Sequence, residues 1–547
     1  VDYTAWKSNF RYPTFRPGQE TALEATAKQL EAGTKFIIAE LPTGLGKSDI
    51  AMALAKTCPE KAFITTSQNV LIKQYLDDFG NEPDFHFIKG KTHYECRSDR
   101  YDNCGEGGDN KCPYFKSHGK EDGDFCTYKR ERDNAIAAKI ALTNNTYYAL
   151  ACRNAMLWEQ RELAVLDEAH NLPGEILKLT SLVIDDKKLG DLKLAIRVPR
   201  ELCTGSTRSE LVELDPFSDY LSELLEEVEL VLEQVEEDYA FSSKEKGKLE
   251  DIAGRIRWFQ KSLVENVRWI VEHEFRGRDI LTARPIDTGY FAQNMLFKNQ
   301  ARQFILQSAT IVDFARYAGE LGIDKSEAYK IVRPSPFPPE RSPLYVMSVG
   351  NMSYKTMTAS QPEIARTVEA IINSRPGLKG IVHTHKYEGI QDYLERHFAG
   401  NPRCKFPIPS EREETVNELF ESDEPSVIFS PSLTEGVDGK GSRVRFQIMC
   451  KVPYPSLGDR LVKAKANEDW GWYSYQTLKT LVQSKGRGMR GTEDWCENFM
   501  LDSQFEIFKK QVEKSLPVDF KAALRTAEDG WKTIEQPETF ISSMTAK

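Results

Sequence analysis

Along this chain, short continuous apolar runs alternate with segments whose apolar residues recur at helical spacing. Runs at 35–39 (KFIIA), 62–65 (AFIT), 163–166 (LAVL) and 304–306 (FIL) each lead into turn or helix signals. A second set follows at 344–347 (LYVM), 380–383 (GIVH), 426–429 (SVIF) and 446–449 (FQIM). Such runs are the pattern of parallel strands buried on both faces. Strands alternating with helical patterns predict α/β units, and two sets predict two sheets. The stretch Arg333-Pro334-Ser335-Pro336-Phe337-Pro338-Pro339 holds four prolines and is the expected linker.

Two segments interrupt the first set. Residues 90–130 are poor in aliphatic side chains and rich in Cys, Gly, Asp and Lys, so another agent must hold them. Residues 175–285 read as helical. Apolar residues at 221, 224, 225, 228, 231, 232 and 235 trace one helix face, and those at 249, 252, 253, 256, 259, 263, 267 and 270 repeat it. The connector SSKEKGK between them predicts an antiparallel hairpin. Residues 1–89, 131–174 and 286–332 are thus expected to form one domain with inserts at 90–130 and 175–285, and residues 333–547 a second. Residues 221–240 carry eight acids and no base, an outward solvated face rather than a DNA contact.

With 40% hydrophobic and 29% charged residues among 547, the composition is core-forming. No apolar run reaches the roughly 18 residues of a membrane-spanning helix. The opening VDYTAWKSNFRYP lacks the basic-then-apolar pattern of a secretory signal, so a reducing cytoplasm is the expected setting. The 83 acidic and 73 basic residues give a formal net charge of −10. That opposes a generally basic coat but leaves room for a local basic groove. Ten cysteines are too few for a disulfide framework, and clustered ones point to metal.

Chemistry concentrates in a few places. Pro42, Thr43, Gly44, Leu45, Gly46, Lys47 and Ser48, after Leu41, form a P-loop between a strand and a helix. Its glycines let backbone N–H groups approach phosphates at a helix N-terminus. Lys47 would reach the β- and γ-phosphates and Ser48 would bind Mg²⁺. The run LAVLDEAH ends a hydrophobic strand in Asp167 and Glu168, expected to hold Mg²⁺ and to orient the attacking water. His170 completes a DEAH box. Near the other end, Gln483, Arg487 and Arg490 lie on a stretch where the two arginines, three apart, would share a helix face and meet the γ-phosphate across a cleft. Cys96, Cys104, Cys112 and Cys126 can supply four thiolates to Zn²⁺ or an iron–sulfur cluster, and their wide spacing without paired knuckles leans to the latter. The other six cysteines read as core or neutral positions. Lys89, Lys91, Arg97 and Lys129 are candidate DNA contacts near the cysteines, whereas Tyr147 and Tyr148 read as buried aromatics.

The order of these motifs resembles that of the iron–sulfur superfamily 2 DNA helicases of the XPD/DinG group, over nearly the whole length. Phe15-Arg16-Pro17-Gly18-Gln19 resembles the adenine-reading Q motif, with Arg16 and Gln19 at the base. Thr65-Thr66-Ser67-Gln68 resembles motif Ia, which lies on DNA in that family, and the cysteines fall between it and the DEAH box, where the family holds a 4Fe–4S cluster. Thr143-Asn144-Asn145 resembles the family's Thr-Asn-His stretch, and Gln307-Ser308-Ala309-Thr310 resembles motif III. Residues 380–385 stand where motif IV belongs, with an unusual His383-Thr384-His385. Glu435, Gly436 and Asp438 resemble the nucleotide contacts of motif V, and residues 483–490 match motif VI. The helical hairpin takes the place of the family's Arch domain.

The resemblance implies two RecA-like α/β domains with parallel sheets, an iron–sulfur insert and a helical Arch-like insert. It implies ATP, Mg²⁺ and a 4Fe–4S cluster as cofactors. It further implies a monomer that moves 5′→3′ on single-stranded DNA and opens forked DNA with the cluster domain as wedge, in repair or replication. Departures are Leu41 in place of the P-loop's first glycine, the cysteine spacing, Asn145 in place of His, and a chain short for the group. Rival readings are a single-strand translocase or protein-displacing remodeller without unwinding, and a repair-complex scaffold. A nuclease is disfavoured, because no compact acidic constellation stands outside the ATPase motifs.

Overall fold

The computed structural model describes residues 4–67, 69–97, 102–105, 126–153, 155–237, 243–385, 387–408, 412–431, 444–489, 491 and 493–545. All eight apolar runs are strands, lengthened or shifted by a few residues. The first sheet has seven parallel strands in the spatial order Ala328–Val332, Phe36–Glu40, Ala301–Ser308, Arg161–Asp167, Ala62–Thr66, Ile140–Asn144 and Phe85–Phe87. Successive residues face opposite sides. Phe36, Ile38, Phe63, Leu166 and Phe304 enter one apolar cluster, while Ile37, Ala39, Ile64, Val165 and Ile305 enter the other. Each such side chain is worth about 1.5–3 kcal/mol when fully buried, which is why these strands read as unbroken apolar runs.

The second sheet also has seven parallel strands, ordered Cys404–Lys405, Val427–Ser430, Gly380–His383, Phe446–Met449, Glu497–Asp502, Leu344–Gly350 and Leu524–Arg525. Residues 333–339 join the two domains. Arg333 is tied to the first by its N–H to the Glu40 carbonyl (3.1 Å), and Ser335 N–H donates to Asp519 in the second (2.6 Å).

The 175–285 insert is not purely helical. Helices Leu214–Glu237 and Ser243–Val264 do pack as a hairpin, with Phe217, Leu221, Leu224 and Val228 buried against Leu249, Ala253, Ile256 and Phe259. The insert also carries a four-stranded antiparallel sheet, ordered Leu182–Asp185, Asp279–Pro285, Trp269–Phe275 and Glu210–Val212. The expected helical stripe therefore overruns. Asn266, at φ +57°, closes the helix in the left-handed conformation, and Ile270 lies on a strand. Val267 and Ile270 fit the three-and-four spacing only by chance, since Val267 joins the hairpin's apolar cluster with Trp269 and Val271 whereas Ile270 faces the other way, onto Leu461.

The insert touches both α/β domains. Its apolar cluster is continuous with the first domain's core. Toward the second domain, Ile270 and Ile286 pack on Leu461, and Arg284 forms a two-pronged pair with Asp459 at 2.8 and 3.0 Å. Arg268 adds a pair with Glu468 at 2.6 Å. Among the described residues, no helix is long and apolar enough to cross a membrane.

Candidate active site at the carboxyl ends of two parallel sheets

Three of the motifs converge because their strands are neighbours. Phe36–Glu40, Ala301–Ser308 and Arg161–Asp167 lie side by side and parallel, so the P-loop, motif III and the DEAH box leave the same edge. The crevice outside carboxyl ends, where strand order departs from chain order, is where open α/β sheets bind ligands.

The P-loop turns on two glycines at positive φ, Gly44 (+81°) and Gly46 (+80°), and Gly46 caps the helix Lys47–Thr57. Both glycines are crowded. The φ of Gly46 favours glycine, and a Cβ there, 2.3 Å from the Gln19 amide nitrogen, would displace that side chain. Gln19 is buried, donates to the Gly46 carbonyl at 3.4 Å and accepts from Arg16 N–H at 3.0 Å. The Arg16 guanidinium donates to the Gly44 carbonyl at 2.7 Å. The Q-like residues thus brace the loop from outside. Pro42 accepts from Leu45 N–H at 3.3 Å, Thr43 is half-buried, and the Leu45 side chain goes into the core.

Lys47 Nζ lies 3.4 Å from a Glu168 carboxylate oxygen. Glu168 itself has φ +49°, a left-handed conformation costly for a non-glycine residue and typical of sites under functional constraint. Asp167 is buried, and burial followed by the neighbouring Glu168 charge raises its carboxyl above the usual range. It accepts from the Tyr75 hydroxyl at 3.0 Å, and the same hydroxyl interacts with Ser48. Tyr75 therefore sets the two expected Mg²⁺ ligands beside one phenol. No sequence signal marks Tyr75, which sits on the helix Asn69–Phe79 far from either motif. A hydroxyl and a carboxylate are oxygen donors of the kind that suits a hard cation, whose charge would offset the burial of Asp167.

His170 Nδ1 lies 2.7 Å from Ser308 Oγ and 3.3 Å from a Glu168 oxygen, so the DEAH box and motif III are joined. Gln307 donates to the Lys47 carbonyl at 3.3 Å. From the second domain, the Gln483 amide reaches Thr310 Oγ1 at 3.5 Å, a weak bond across the cleft.

The helix expected to carry Arg487 stops short of it. The helix Trp470–Lys485 stops at Gly486, Arg487 follows in a single 3₁₀ turn, and Met489 is extended. The glycines at 486 and 488 flank Arg487 and end the regular helix there. Arg487 is buried near His383, whose imidazole is pushed down to about 4 by burial, against its Gln447 bond, and further by the Arg487 charge. Arg490, Glu435, Gly436, Asp438, Gln68 and Cys112 lie outside the described residues.

Cys96, Cys104 and Cys126 are described. Cys104 and Cys126 are buried with sulfurs 3.8 Å apart, a contact and not a disulfide. Burial, then Cys126 and Cys96, push the Cys104 thiol up to about 12. Two soft donors in contact, in a segment with little apolar core, suit a thiophilic metal or cluster, and the structure does not bring the Cys96 sulfur into the same close group. Lys91 and Arg97 are exposed nearby, Lys89 lies over the Tyr94 ring, and Lys129 is half-buried. Tyr147 and Tyr148 are buried, as expected. In the insert, Cys203, His273 and Asp279 also cluster, but Thr204 N–H donates to His273 Nδ1, which leaves Nε2 to donate to Asp279. Both ring nitrogens are spent on internal bonds.

Residues 378–522 match the family model of a helicase C-terminal domain, and residues 13–189 match that of the type III restriction enzyme res subunit. Among curated protein sequences, none matches the chain. Two solved structures are similar along nearly all of both chains. One is an XPD helicase, at 16% identity over 94% of this chain and 100% of that one, with a TM-score of 0.64. The other is Xpd4 of S. tokodaii, at 15% identity over 93% and 100%, with a TM-score of 0.61. With a P-loop and a DEAH box on the two strands that flank Ala301–Ser308 in one parallel sheet and Gln483 opposing them from a second domain, the chain has the fold of the XPD helicases.

Proposed function

We propose that this chain is an ATP-dependent DNA helicase that moves 5′→3′ on single-stranded DNA and opens forked duplexes, acting in repair or replication as a monomer. The observation that carries the reading is the Lys47–Glu168 contact at 3.4 Å beside the buried Asp167, with Gln483 meeting Thr310 from the other domain. A phosphoryl-transfer site needs charge neutralisation, an oriented water and groups from a second lobe, and little covalent chemistry. Lys47 and the P-loop amides take the phosphates, Glu168 orients water, and Arg487 and Arg490 supply charge from the second domain. Mg²⁺ neutralises phosphate charge when bound, and Ser48 and Asp167 are the residues that would hold it. Arg16 and Gln19 meet the base, and Glu435, Gly436 and Asp438 complete the nucleotide contacts. Single-stranded DNA lies across the carboxyl ends of both sheets, gripped by phosphate contacts and base stacking.

Cys96, Cys104, Cys112 and Cys126 would hold a 4Fe–4S cluster that pins the 90–130 segment as the strand-separating wedge. Lys47→Ala tests the motor. ATP turnover should vanish while single-stranded DNA binding stays within a few-fold of wild type, and surviving turnover refutes the assignment. Strand displacement on a forked duplex separates a helicase from a plain translocase. Iron analysis of anaerobically purified protein tests the cluster, and zinc in place of iron removes that half of the proposal.

A further inference from the structure

Phe337 sits in the middle of the proline-rich linker, yet it is only 9% exposed and belongs to none of the apolar clusters among the described residues. An aromatic ring buried outside any core needs another explanation. Its ring lies against the tip of the P-loop. A Cβ built on Gly44 would fall 2.1 Å from the Phe337 Cζ and 2.7 Å from a ring neighbour. Gly44 is thus fixed as glycine twice, by its φ of +81° and by this ring.

The neighbours of that contact are polar. Arg16 donates to the carbonyl of the same Gly44, and Gln19 stands over Gly46. One aromatic ring, one guanidinium and one carboxamide therefore gather over the two loop glycines Gly44 and Gly46. A purine offers a flat π-face for the ring and a donor–acceptor edge for the other two. The linker holds the ring from both sides. Arg333 bonds to Glu40 and Thr21 in the first domain, Ser335 bonds to Asp519 in the second, and Phe337 N–H caps back on Ser335 Oγ at 3.2 Å. A linker of four prolines leaves the ring little freedom to be elsewhere.

We infer that Phe337 is a nucleobase contact, its ring stacking on the purine of a nucleotide whose phosphates occupy the P-loop. The inference rests on reading that loop as the ATP site and extends it to the interdomain linker. The bland alternative is that Phe337 merely props the loop. The two differ in what they do to a ligand without a base.

Equilibrium binding of Mg–ADP and of Mg–tripolyphosphate is compared for the full-length wild type, Phe337→Ala, Phe337→Leu and Phe337→Trp, with melting curves as the folding control. Removing a stacking partner should weaken ADP about tenfold in the Ala and Leu variants. Tripolyphosphate binding should stay as in wild type, and Trp should restore ADP. In turnover, KM for ATP should rise while kcat holds, the signature of lost uniform binding. Equal weakening of both ligands would make Phe337 a loop prop and overturn the inference, as would ADP binding unchanged in the Ala variant. If the wild type binds neither ligand, the nucleotide site itself fails, and this inference with it.

Discussion

Ser308 and His170 share a hydrogen bond of 2.7 Å although 138 residues separate them. Ser308 Oγ also accepts from Thr310 N–H at 3.2 Å, and Thr310 receives the Gln483 amide at 3.5 Å. His170 lies 3.3 Å from Glu168. A chain of small polar contacts thus runs from the candidate water-orienting acid to the opposite domain. Such a chain can make the state of the cleft depend on the state of the nucleotide.

Ser308→Ala cuts this chain without touching the P-loop. Loss of one buried hydrogen bond, about 1 kcal/mol, should lower strand displacement per ATP about fivefold. ATP turnover on single-stranded DNA should change much less. Parallel measurement of both rates on one forked substrate checks it, and a proportional fall in both refutes the coupling role.

Arg375 and Glu497 form a fully buried two-pronged pair at 2.8 Å, and Thr533 donates to the same carboxylate. Arg375→Ala strands a buried carboxylate and should destabilise the second domain by about 3–5 kcal/mol. The double variant Arg375→Met, Glu497→Leu should recover most of that, because the desolvation cost leaves with the pair. Calorimetric unfolding resolves the second domain's transition.

His383 and His385 stack at 5.7 Å inside the second domain. His383 faces Gln447 and Arg487, and His385 faces His383 and Lys451. Burial pushes their imidazoles down to about 4 and about 3 from the ordinary 6.5. The unfolded chain therefore takes up protons first. Stability is full above pH 6.5 and falls as pH drops toward 4. Each histidine should cost about 2 kcal/mol between pH 7 and 5. Urea unfolding of wild type and His383→Gln, which keeps a donor to Gln447, should show a shallower loss in the variant. Parallel pH curves would contradict the burial account.

Asp459 links the insert's Arg284 to the second domain and caps the helix Arg460–Glu468. Asp459→Asn keeps the cap and removes the charge. On the proposed mechanism, domains that alternate between open and closed clefts strain this link. A partly exposed pair is worth about 1 kcal/mol at most, so DNA-free ATP turnover should rise about two- to fivefold. Unchanged basal turnover would mean that the insert rides with the cleft and does not restrain it.

The sequence by itself determined the two parallel sheets, the linker between them and the helical hairpin, because strands buried on both faces and amphipathic helices leave periodic apolar signatures. It also determined the P-loop and DEAH box, where several required residue types sit within eight positions. The tertiary structure alone decided the rest. Tyr75 comes under Asp167 across 92 residues, Gln483 meets Thr310 across 173, and Phe337 settles on Gly44. Such contacts depend on which strands become neighbours, a choice made by long-range packing that writes no local pattern. The insert's antiparallel sheet escaped notice for a related reason. Its strand Trp269–Phe275 follows a helix so closely that Val267 and Ile270 extend the helical stripe by chance, and only pairing with Asp279–Pro285 reveals the strand.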